Sequence, residues 1–324
     1  MTHLAEIFQQ APGAWVAVVF VFSLLIGSFL NVVIHRVPVM LEREWHAQAA
    51  EILQPDLQPD LQPDRQPDLQ LDLQLDLQPG LQHQAQAKYN LLVPRSACPK
   101  CGAMITALQN IPVLSYLWLK GKCASCGARI SVRYPLVELG TAVLSALVAW
   151  KFGFVWYTAA ALVLTWVLIA LSAIDIDHQL LPDTMTLPLV WLGLLLSLAP
   201  TIASIGLPVD PRASIIGAVA GYLSLWSVYH AFRLLTGKEG MGYGDFKLFA
   251  ALGAWLGWSM LLPIIIFASG VGALFGVVIL IRQRKGKDTQ IAFGPFLAIA
   301  GWLALVGGHV IVERYLGLFV SPTP

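Results

Sequence analysis

The chain has 324 residues, of which 57% are hydrophobic and 12% are charged, and its formal net charge is +1. Soluble domains carry about 25% charged residues, so this composition excludes an ordinary water-soluble globular protein. The near-zero net charge gives no general attraction to nucleic acid, and we expect no nucleic-acid partner. We expect an all-α protein that crosses a lipid bilayer several times.

The first apolar run, residues 14–34, is long enough to span a bilayer. A removable signal peptide begins with a positively charged region, but residues 1–10 contain no Lys or Arg. His35 and Arg36 follow the run directly. We therefore predict a retained transmembrane helix over residues 14–36.

Further apolar runs predict seven more helices, which bring the total to about eight spans. Together the seven form a membrane-embedded core over residues 135–312, and residues 313–324 are predicted to form a tail. The seven runs lie at residues 135–150, 155–174, 184–203, 213–235, 244–259, 261–281 and 291–312.

The distribution of Lys and Arg predicts the orientation of the chain. Ten of the twenty lie in residues 36–134, three in 233–247 and four in 282–287. Eight helices place all three segments on one side of the bilayer, and the positive-inside rule makes that side cytoplasmic. We expect a multi-pass protein of the bacterial inner membrane with both termini in the periplasm.

The first predicted cytoplasmic loop, residues 37–134, has two unlike parts. Residues 54–81 repeat a tetrapeptide seven times, beginning Gln-Pro-Asp-Leu. The prolines forbid a continuous helix, and a four-residue period matches no solenoid unit, so this part is predicted to be a disordered spacer. The second part, about residues 94–130, contains all four cysteines of the chain.

The cysteines form two Cys-x-x-Cys motifs, each followed by a glycine: Cys98, Cys101, Cys123 and Cys126. Two such turns supply four thiolates to a tetrahedral Zn²⁺, and a cytoplasmic location argues against disulfides. Because four cysteines leave no open coordination position, the predicted zinc is structural. Redox-active or unliganded thiols and an iron–sulfur cluster are the weaker alternatives.

Asp175 and Asp245 are the two carboxylates most deeply embedded in apolar sequence. Two carboxylates that converge on one water can share a proton, so that one activates the water while the other polarises a scissile carbonyl. Gly242 and Gly244 would let the backbone approach an extended substrate closely. A proton-coupled transporter would also use embedded carboxylates, so the residues alone leave both functions open. Glu138 could join either kind of site.

The neighbouring polar residues have simpler interpretations. Asp177 is expected to be solvated beyond a helix end, and Asp183, just after Pro182, to cap the next helix. Lys247 is expected to snorkel or to neutralise Asp245.

The chain closely resembles the type IV prepilin peptidase family. The resemblance covers nearly the whole chain and rests on an ordered set of motifs. These are Gly27–Pro38, the paired Cys-x-x-Cys motifs, Arg133-Tyr-Pro-Leu-Val-Glu138, Ile174-Asp-Ile-Asp-His-Gln-Leu-Leu-Pro-Asp183, Gly240-Met-Gly-Tyr-Gly-Asp-Phe-Lys-Leu248 and Phe293-Gly-Pro-Phe296. The repeat at residues 54–81 departs from typical members.

This resemblance implies a bifunctional inner-membrane enzyme. Its aspartic peptidase activity would remove the leader of prepilins and pseudopilins at the cytoplasmic face, with Asp175 and Asp245 as the catalytic pair. It would then N-methylate the new terminus, commonly a phenylalanine, with S-adenosylmethionine. Methylation in the family is associated with the zinc region, including a glycine matched here by Gly121, and retention of all four cysteines favours both activities.

The implied substrate has a basic leader followed by an apolar helix that lies in the bilayer. Our hypothesis is that Glu138 or Asp183 helps to receive the positive charge of the leader, so that charge reversal would raise the KM. A carboxylate-dependent transporter with a regulatory zinc loop and a non-catalytic secretion subunit are the competing classes. The chain shows no duplicated halves of the kind typical of transporters. A non-catalytic subunit would have no role for the Gly-x-Gly-Asp motif at residues 242–245.

Overall fold

The computed structural model describes residues 6, 8–53, 89–199, 208–238, 240–283 and 292–319. The repeat at residues 54–81 lies outside these ranges. Within them the chain is helical, with two isolated β-bridges, Ala97–Met104 and Lys122–Arg129, and no β-strand. The all-α class predicted from composition is therefore confirmed for the described residues.

The helices run in chain order from the N-terminal segment to Phe319, and two 3-10 turns, Leu108–Asn110 and Trp258–Met260, lie between them. The α-helices are α1 (Pro12–Leu53), α2 (Leu114–Trp118), α3 (Arg133–Phe152), α4 (Trp156–His178), α5 (Asp183–Leu198), α6 (Pro211–Thr236), α7 (Tyr243–Leu256), α8 (Leu261–Gln283) and α9 (Gly294–Phe319).

Five helices in the described part of the chain are long and apolar enough to cross a membrane. They are α1, α3, α4, α6 and α8, the last counted together with the 3-10 turn before it. Two shorter apolar helices, Asp183–Leu198 and Gly294–Gly308, accompany them. A multi-pass membrane protein is thus confirmed, whereas the predicted number of eight spans is not.

Several predicted helices differ in length from the observed ones. The helix predicted over residues 184–203 ends at Leu198, and the one predicted over 155–174 continues to His178. The first helix was predicted to end at residue 36, but α1 continues past Pro38 to Leu53 because residues 39–53 are mostly good helix formers. The last continues beyond the predicted end at residue 312 to Phe319. The helix predicted over residues 244–259 ends at Leu256, since Gly257 takes a left-handed backbone with φ +80°.

Helix α7 forms the centre of the bundle. It is apolar on all sides, and its residues from Asp245 to Trp255 are buried, apart from Lys247, which is half-buried. Such a helix needs neighbours around its whole circumference, and α5, α6 and α9 supply them. The result is that Asp245, in the first turn of α7, lies inside the protein.

Small residues let α6 approach α7 closely. A Cβ added to Gly217 would lie 2.3 Å from the carbonyl oxygen of Gly253, and one added to Gly221 would lie 2.7 Å from that of Phe249. The spacing of Gly217 and Gly221 is the small-xxx-small pattern that brings membrane helices into backbone contact. Ser214 adds a hydrogen bond of 2.6 Å from its hydroxyl to the Ala254 carbonyl.

Helices α1 and α3 pack antiparallel, and α4 lies against both. The Asn31 side-chain amide donates to the Tyr134 carbonyl at 3.1 Å. Gly27, four residues before Asn31 on α1, contacts Glu138, which lies four residues after Tyr134 on α3. These paired contacts fix the relative height of the two helices.

Candidate active site and metal centre

Asp175 lies in the last turn of α4 and is 5% exposed. The helix ends at once, because Gln179 takes a left-handed conformation and its N–H donates to the Asp175 carbonyl at 2.9 Å. The Asp175 side chain accepts a hydrogen bond of 3.0 Å, at Oδ2, from the backbone N–H of Gly294. The start of α9 therefore orients this carboxylate.

Asp245 lies in the first turn of α7 and is 7% exposed. Its N–H donates to the Gly242 carbonyl at 3.2 Å, and its Oδ1 is buried without a hydrogen-bond partner in the described chain. The residue before it, Gly244, packs against Leu181, and Leu181 also lies against Gly294, the hydrogen-bond partner of Asp175. The structure therefore brings together the two aspartates that the sequence singled out.

Leu181 connects the three segments of this site. A Cβ added to Gly244 would lie 2.6 Å from the Leu181 Cβ. A Cβ added to Gly294 would lie 2.6 Å from the Asp175 Oδ2 and 3.1 Å from the Leu181 Cδ1. Gly244 and Gly294 are thus needed for close packing around the carboxylates. By contrast, a Cβ at Gly242 would meet only the Asp245 Oδ2, at 3.8 Å.

Lys247 and Asp183 form an ion pair, with Nζ 2.6 Å from Oδ1. The prediction that Lys247 neutralises Asp245 is therefore wrong. The prediction that Asp183 caps α5 is also wrong, because Pro182 occupies the cap position and Asp183 is the first residue of the helix. Its carboxylate turns to Lys247, which the packing of α7 against α5 brings within reach.

Asp177 was expected to be solvated, but it forms an ion pair of 2.5 Å with the Arg133 guanidinium. The same guanidinium donates to the Ala173 carbonyl at 3.1 Å. Arg133 thus ties the start of α3 to the end of α4, near Asp175.

In the described part of the chain, no hydrogen bond connects Glu138 with Asp175 or Asp245. The Glu138 carboxylate is buried in α3 and accepts the Val113 N–H at 2.8 Å. This contact attaches the segment before α2 to the membrane-spanning part.

An apolar cavity of about 440 Å³ is lined by α6, α8 and the segments at the starts of α7 and α9. Two of its lining residues, Met241 and Phe293, adjoin Gly242 and Gly294 in the sequence. Phe296 belongs to the same quoted motif as Phe293. The other lining residues come from α6 and α8, and sequence reasoning did not identify them: Leu225, Val228, Ile265, Ser269, Gly272 and Ala273. Because Gly294 donates to Asp175, the lining residue Phe293 is joined in sequence to a direct contact of one carboxylate.

The four cysteines meet at one point, with all sulfur atoms within 4.8 Å of one another. The two Cys-x-x-Cys turns are built alike: the Cys98 N–H donates to the Ala103 carbonyl, and the Cys123 N–H donates to the Ala128 carbonyl. The glycine after each turn has a left-handed backbone, with φ +70° at Gly102 and +69° at Gly127. A glycine after each motif is therefore what the tight turn requires.

Gly121 also has a positive φ, +67°, and lies against Tyr116. A Cβ there would lie 2.8 Å from the Tyr116 hydroxyl. The Gly121 N–H donates to the Tyr116 carbonyl at 2.9 Å, and its own carbonyl accepts the Ile130 N–H at 2.8 Å. Gly121 thus joins α2 to the second cysteine turn.

The thiols influence one another's protonation. Backbone N–H groups of Cys101 and Lys100 lower the pKa of the Cys98 thiol to about 6. The Ala103 backbone favours the thiolate at Cys101, but the neighbouring Cys126 and the other thiols outweigh it and raise the pKa of Cys101 to about 11. Crowded thiols of this kind can all ionise when a cation lies among them.

The cluster fits a metal ion in its spacing. Tetrahedral coordination with Zn–S distances near 2.3 Å separates the sulfurs by roughly 3.8 Å. The Cys98 and Cys126 sulfurs lie 3.9 Å apart. The four cysteines could therefore hold one metal ion, as the sequence predicted.

Two buried carboxylates at helix ends lie inside a multi-pass bundle that carries a four-cysteine module, residues 94–130. This arrangement fits a membrane-embedded protein of the aspartic peptidase class. Residues 21–152 match the family model of the bacterial peptidase A24 N-terminal domain, and residues 162–277 match that of the type IV leader peptidase family. The chain belongs to the type IV leader peptidase family, as the resemblance indicated.

Curated relatives agree over nearly the full chain. A protein of Aeromonas salmonicida (strain A449), named prepilin leader peptidase/N-methyltransferase, is 51% identical over 316 residues, which cover 98% of this chain and 99% of the relative. Relatives with the same name are 50% identical in Pseudomonas aeruginosa, over 97% of each chain, and 49% identical in Neisseria gonorrhoeae, over 87% of each. No solved structure matches the chain.

Proposed function

We propose that this chain is a prepilin leader peptidase and N-methyltransferase, with Asp175 and Asp245 as its catalytic residues. The observation that carries the proposal is the burial of both carboxylates around Leu181, one at the end of α4 and the other at the start of α7. Full-length relatives that bear the name of this double activity support it.

The proposed cleavage uses one water and both carboxylates. The ionised carboxylate takes a proton from the water as its oxygen attacks the scissile carbonyl carbon. The protonated carboxyl donates a hydrogen bond to the carbonyl oxygen. As the C–N bond breaks, the carboxyl that took the proton from water passes it to the amine nitrogen, and both products leave. The Gly294 N–H donates to the Asp175 Oδ2 at 3.0 Å and keeps the Asp175 carboxylate in one orientation during the reaction.

The proposed substrates are prepilins and pseudopilins with a basic leader and an apolar segment after the scissile bond. The apolar cavity beside Met241 and Phe293 would receive the first apolar side chains, while the adjoining bond lies at the carboxylates. Fixing a bond in this way supplies proximity, worth about 7–11 kcal/mol in well-oriented systems. Asp183, exposed at the start of α5, remains our candidate to receive the charge of the leader, although Lys247 competes for it. The Glu138 carboxylate instead accepts a hydrogen bond from the Val113 N–H.

The proposed metal is one structural Zn²⁺ held by Cys98, Cys101, Cys123 and Cys126; the clustering of their sulfurs within 4.8 Å of one another supports this proposal. S-adenosylmethionine would supply the methyl group to the new terminal amine. We place Gly121 in this second activity because it joins the second cysteine turn to α2, so a side chain there would displace both.

We propose the bacterial inner membrane as the location, with the cysteine module and the aspartates on the cytoplasmic side and both termini in the periplasm. Seventeen of the twenty Lys and Arg residues lie in the three segments assigned to that side.

The test is to incubate the purified chain in lipid with a prepilin and to follow the product by mass spectrometry, with and without S-adenosylmethionine. We expect loss of the leader in both reactions and one added methyl group only when the donor is present. A prepilin that stays intact would reject the peptidase assignment, and a cleaved product that never gains a methyl group would reject the second activity alone.

A further inference from the structure

An apolar surface lies exposed on the cysteine module, around the short helix α2. Trp118 is 85% exposed, and Leu108, Leu114 and Leu117 are also largely exposed. Contiguous apolar surface of this kind marks a site of contact with a membrane or another molecule.

The Glu138–Val113 hydrogen bond fixes the height of this surface relative to the bilayer. Val113 directly precedes α2, and its N–H is held at 2.8 Å by a carboxylate within the membrane-spanning helix α3. Glu138 lies five residues beyond Arg133, the charged start of α3, which is roughly 7.5 Å along the helix axis. The start of α2 therefore lies beside the first turns of α3, at the level where that helix enters the membrane.

Helix α1 gives a second measure of the height of Glu138 in the bilayer. Gly27 abuts Glu138 and lies nine residues before Arg36, the first Arg or Lys of the chain. That separation is roughly 13 Å along the helix axis. Arg36 itself is tied to the other end of the module, since its guanidinium donates to the carbonyls of Asn90 and Pro94. The module thus extends from the level of Arg36 down to the level of Glu138.

The exposed residues have the chemistry of the membrane–water interface. Tryptophan prefers the headgroup level, and leucine prefers the acyl chains just below it. Lys120, Lys122 and Arg129 follow the apolar surface and are exposed. Basic groups at this level attract anionic phospholipid headgroups.

We infer that residues 108–118 lie in the interface of the bilayer, with Leu114, Leu117 and Trp118 inserted beside the phospholipids. A protein partner is the less favoured occupant, because the lipid-facing side of α3 is exposed at the same height through Leu136 and Leu139. The module is thereby held against the membrane by three attachments: Arg36 at one end, Glu138 in the middle, and lipid beneath α2.

Photo-crosslinking in the full-length protein tests this inference. The variant Trp118→p-benzoylphenylalanine is reconstituted in vesicles of phosphatidylethanolamine and phosphatidylglycerol, irradiated and analysed by mass spectrometry. The matched control is Met104→p-benzoylphenylalanine, an exposed apolar position on the first cysteine turn. Leu117→p-benzoylphenylalanine serves as a second probe, and cysteine-bound metal content verifies that each variant is folded.

We expect phospholipid adducts at positions 117 and 118 to exceed those at position 104 by about fivefold or more. Replacing phosphatidylglycerol with phosphatidylcholine should lower the adduct yield, since the basic residues then lose their anionic partners. Protein-only adducts at positions 117 and 118, or equal lipid adducts at position 104, would overturn the inference.

Discussion

The backbone N–H of Gly294 donates a hydrogen bond of 3.0 Å to the Oδ2 of Asp175, 119 residues earlier in the chain. This bond joins the end of α4 to the start of α9 and sets the direction of one carboxylate of the candidate pair. Because a Cβ at position 294 would lie 2.6 Å from that oxygen, only glycine fits there without displacing the carboxylate.

Gly294→Ala should therefore lower the kcat of leader cleavage by about 10²-fold, because it displaces Asp175 from its productive position. Gly270→Ala is the matched control, since a Cβ at that helical position meets nothing within 4 Å. Initial rates with a prepilin at saturating concentration measure the effect. Equal rates for the two variants would show that the Gly294 contact does not position Asp175.

The two glycines of the Gly-x-Gly-Asp motif should respond differently. Gly244→Ala would place a Cβ 2.6 Å from the Leu181 Cβ and push apart the segments that carry the aspartates, so we expect a loss of about tenfold or more in kcat/KM. Gly242→Ala meets only the Asp245 Oδ2, at 3.8 Å, and should keep most of the activity. A larger loss in Gly242→Ala than in Gly244→Ala would favour a direct substrate contact at Gly242.

Glu138→Ala should release the segment before α2 from the membrane-spanning part. The Val113 N–H then loses its acceptor, and we expect faster hydrogen exchange at residues 111–118 with little change in the KM for a prepilin. Hydrogen-exchange mass spectrometry in lipid measures the first effect, and the cleavage assay measures the second. A raised KM with unchanged exchange would instead support the hypothesis that Glu138 receives the leader.

Cys98→Ser should remove the bound metal, because three thiolates and a hydroxyl bind Zn²⁺ far less tightly than four thiolates. We expect the zinc content to fall from about one ion per chain to a small fraction of that. Methylation should fall with it, while leader cleavage is less affected. Ser125→Ala, between the two cysteines of the second turn, is the control and should retain the metal. Full zinc content in Cys98→Ser would contradict the site.

The sequence predicted those parts of the molecule that depend on local pattern. The apolar runs predicted the helices, and the paired Cys-x-x-Cys motifs predicted the cysteine cluster. The embedded positions of Asp175 and Asp245 predicted that both would be buried at helix ends. Each of these properties follows from residues that are near one another in the chain.

What the sequence could not predict depends on how distant helices pack. The partner of Lys247 is Asp183 rather than Asp245, because α7 packs against α5 and brings those two side chains together. Asp177 is paired because α3 begins beside the end of α4. Gly294 lay in a quoted motif, Phe293-Gly-Pro-Phe296, but nothing local connected it with Asp175.

The central claim is that Asp175 and Asp245 act together on one bond, and cleavage by Asp175→Asn and Asp245→Asn tests it most directly. Asp177→Asn, two residues further along α4, is the control. With purified chains in lipid that retain their metal, we expect each of the first two variants to cleave a prepilin at least about 10³-fold more slowly than the unmodified chain, and the control to stay within about tenfold. Normal cleavage by either Asp175→Asn or Asp245→Asn would contradict the account.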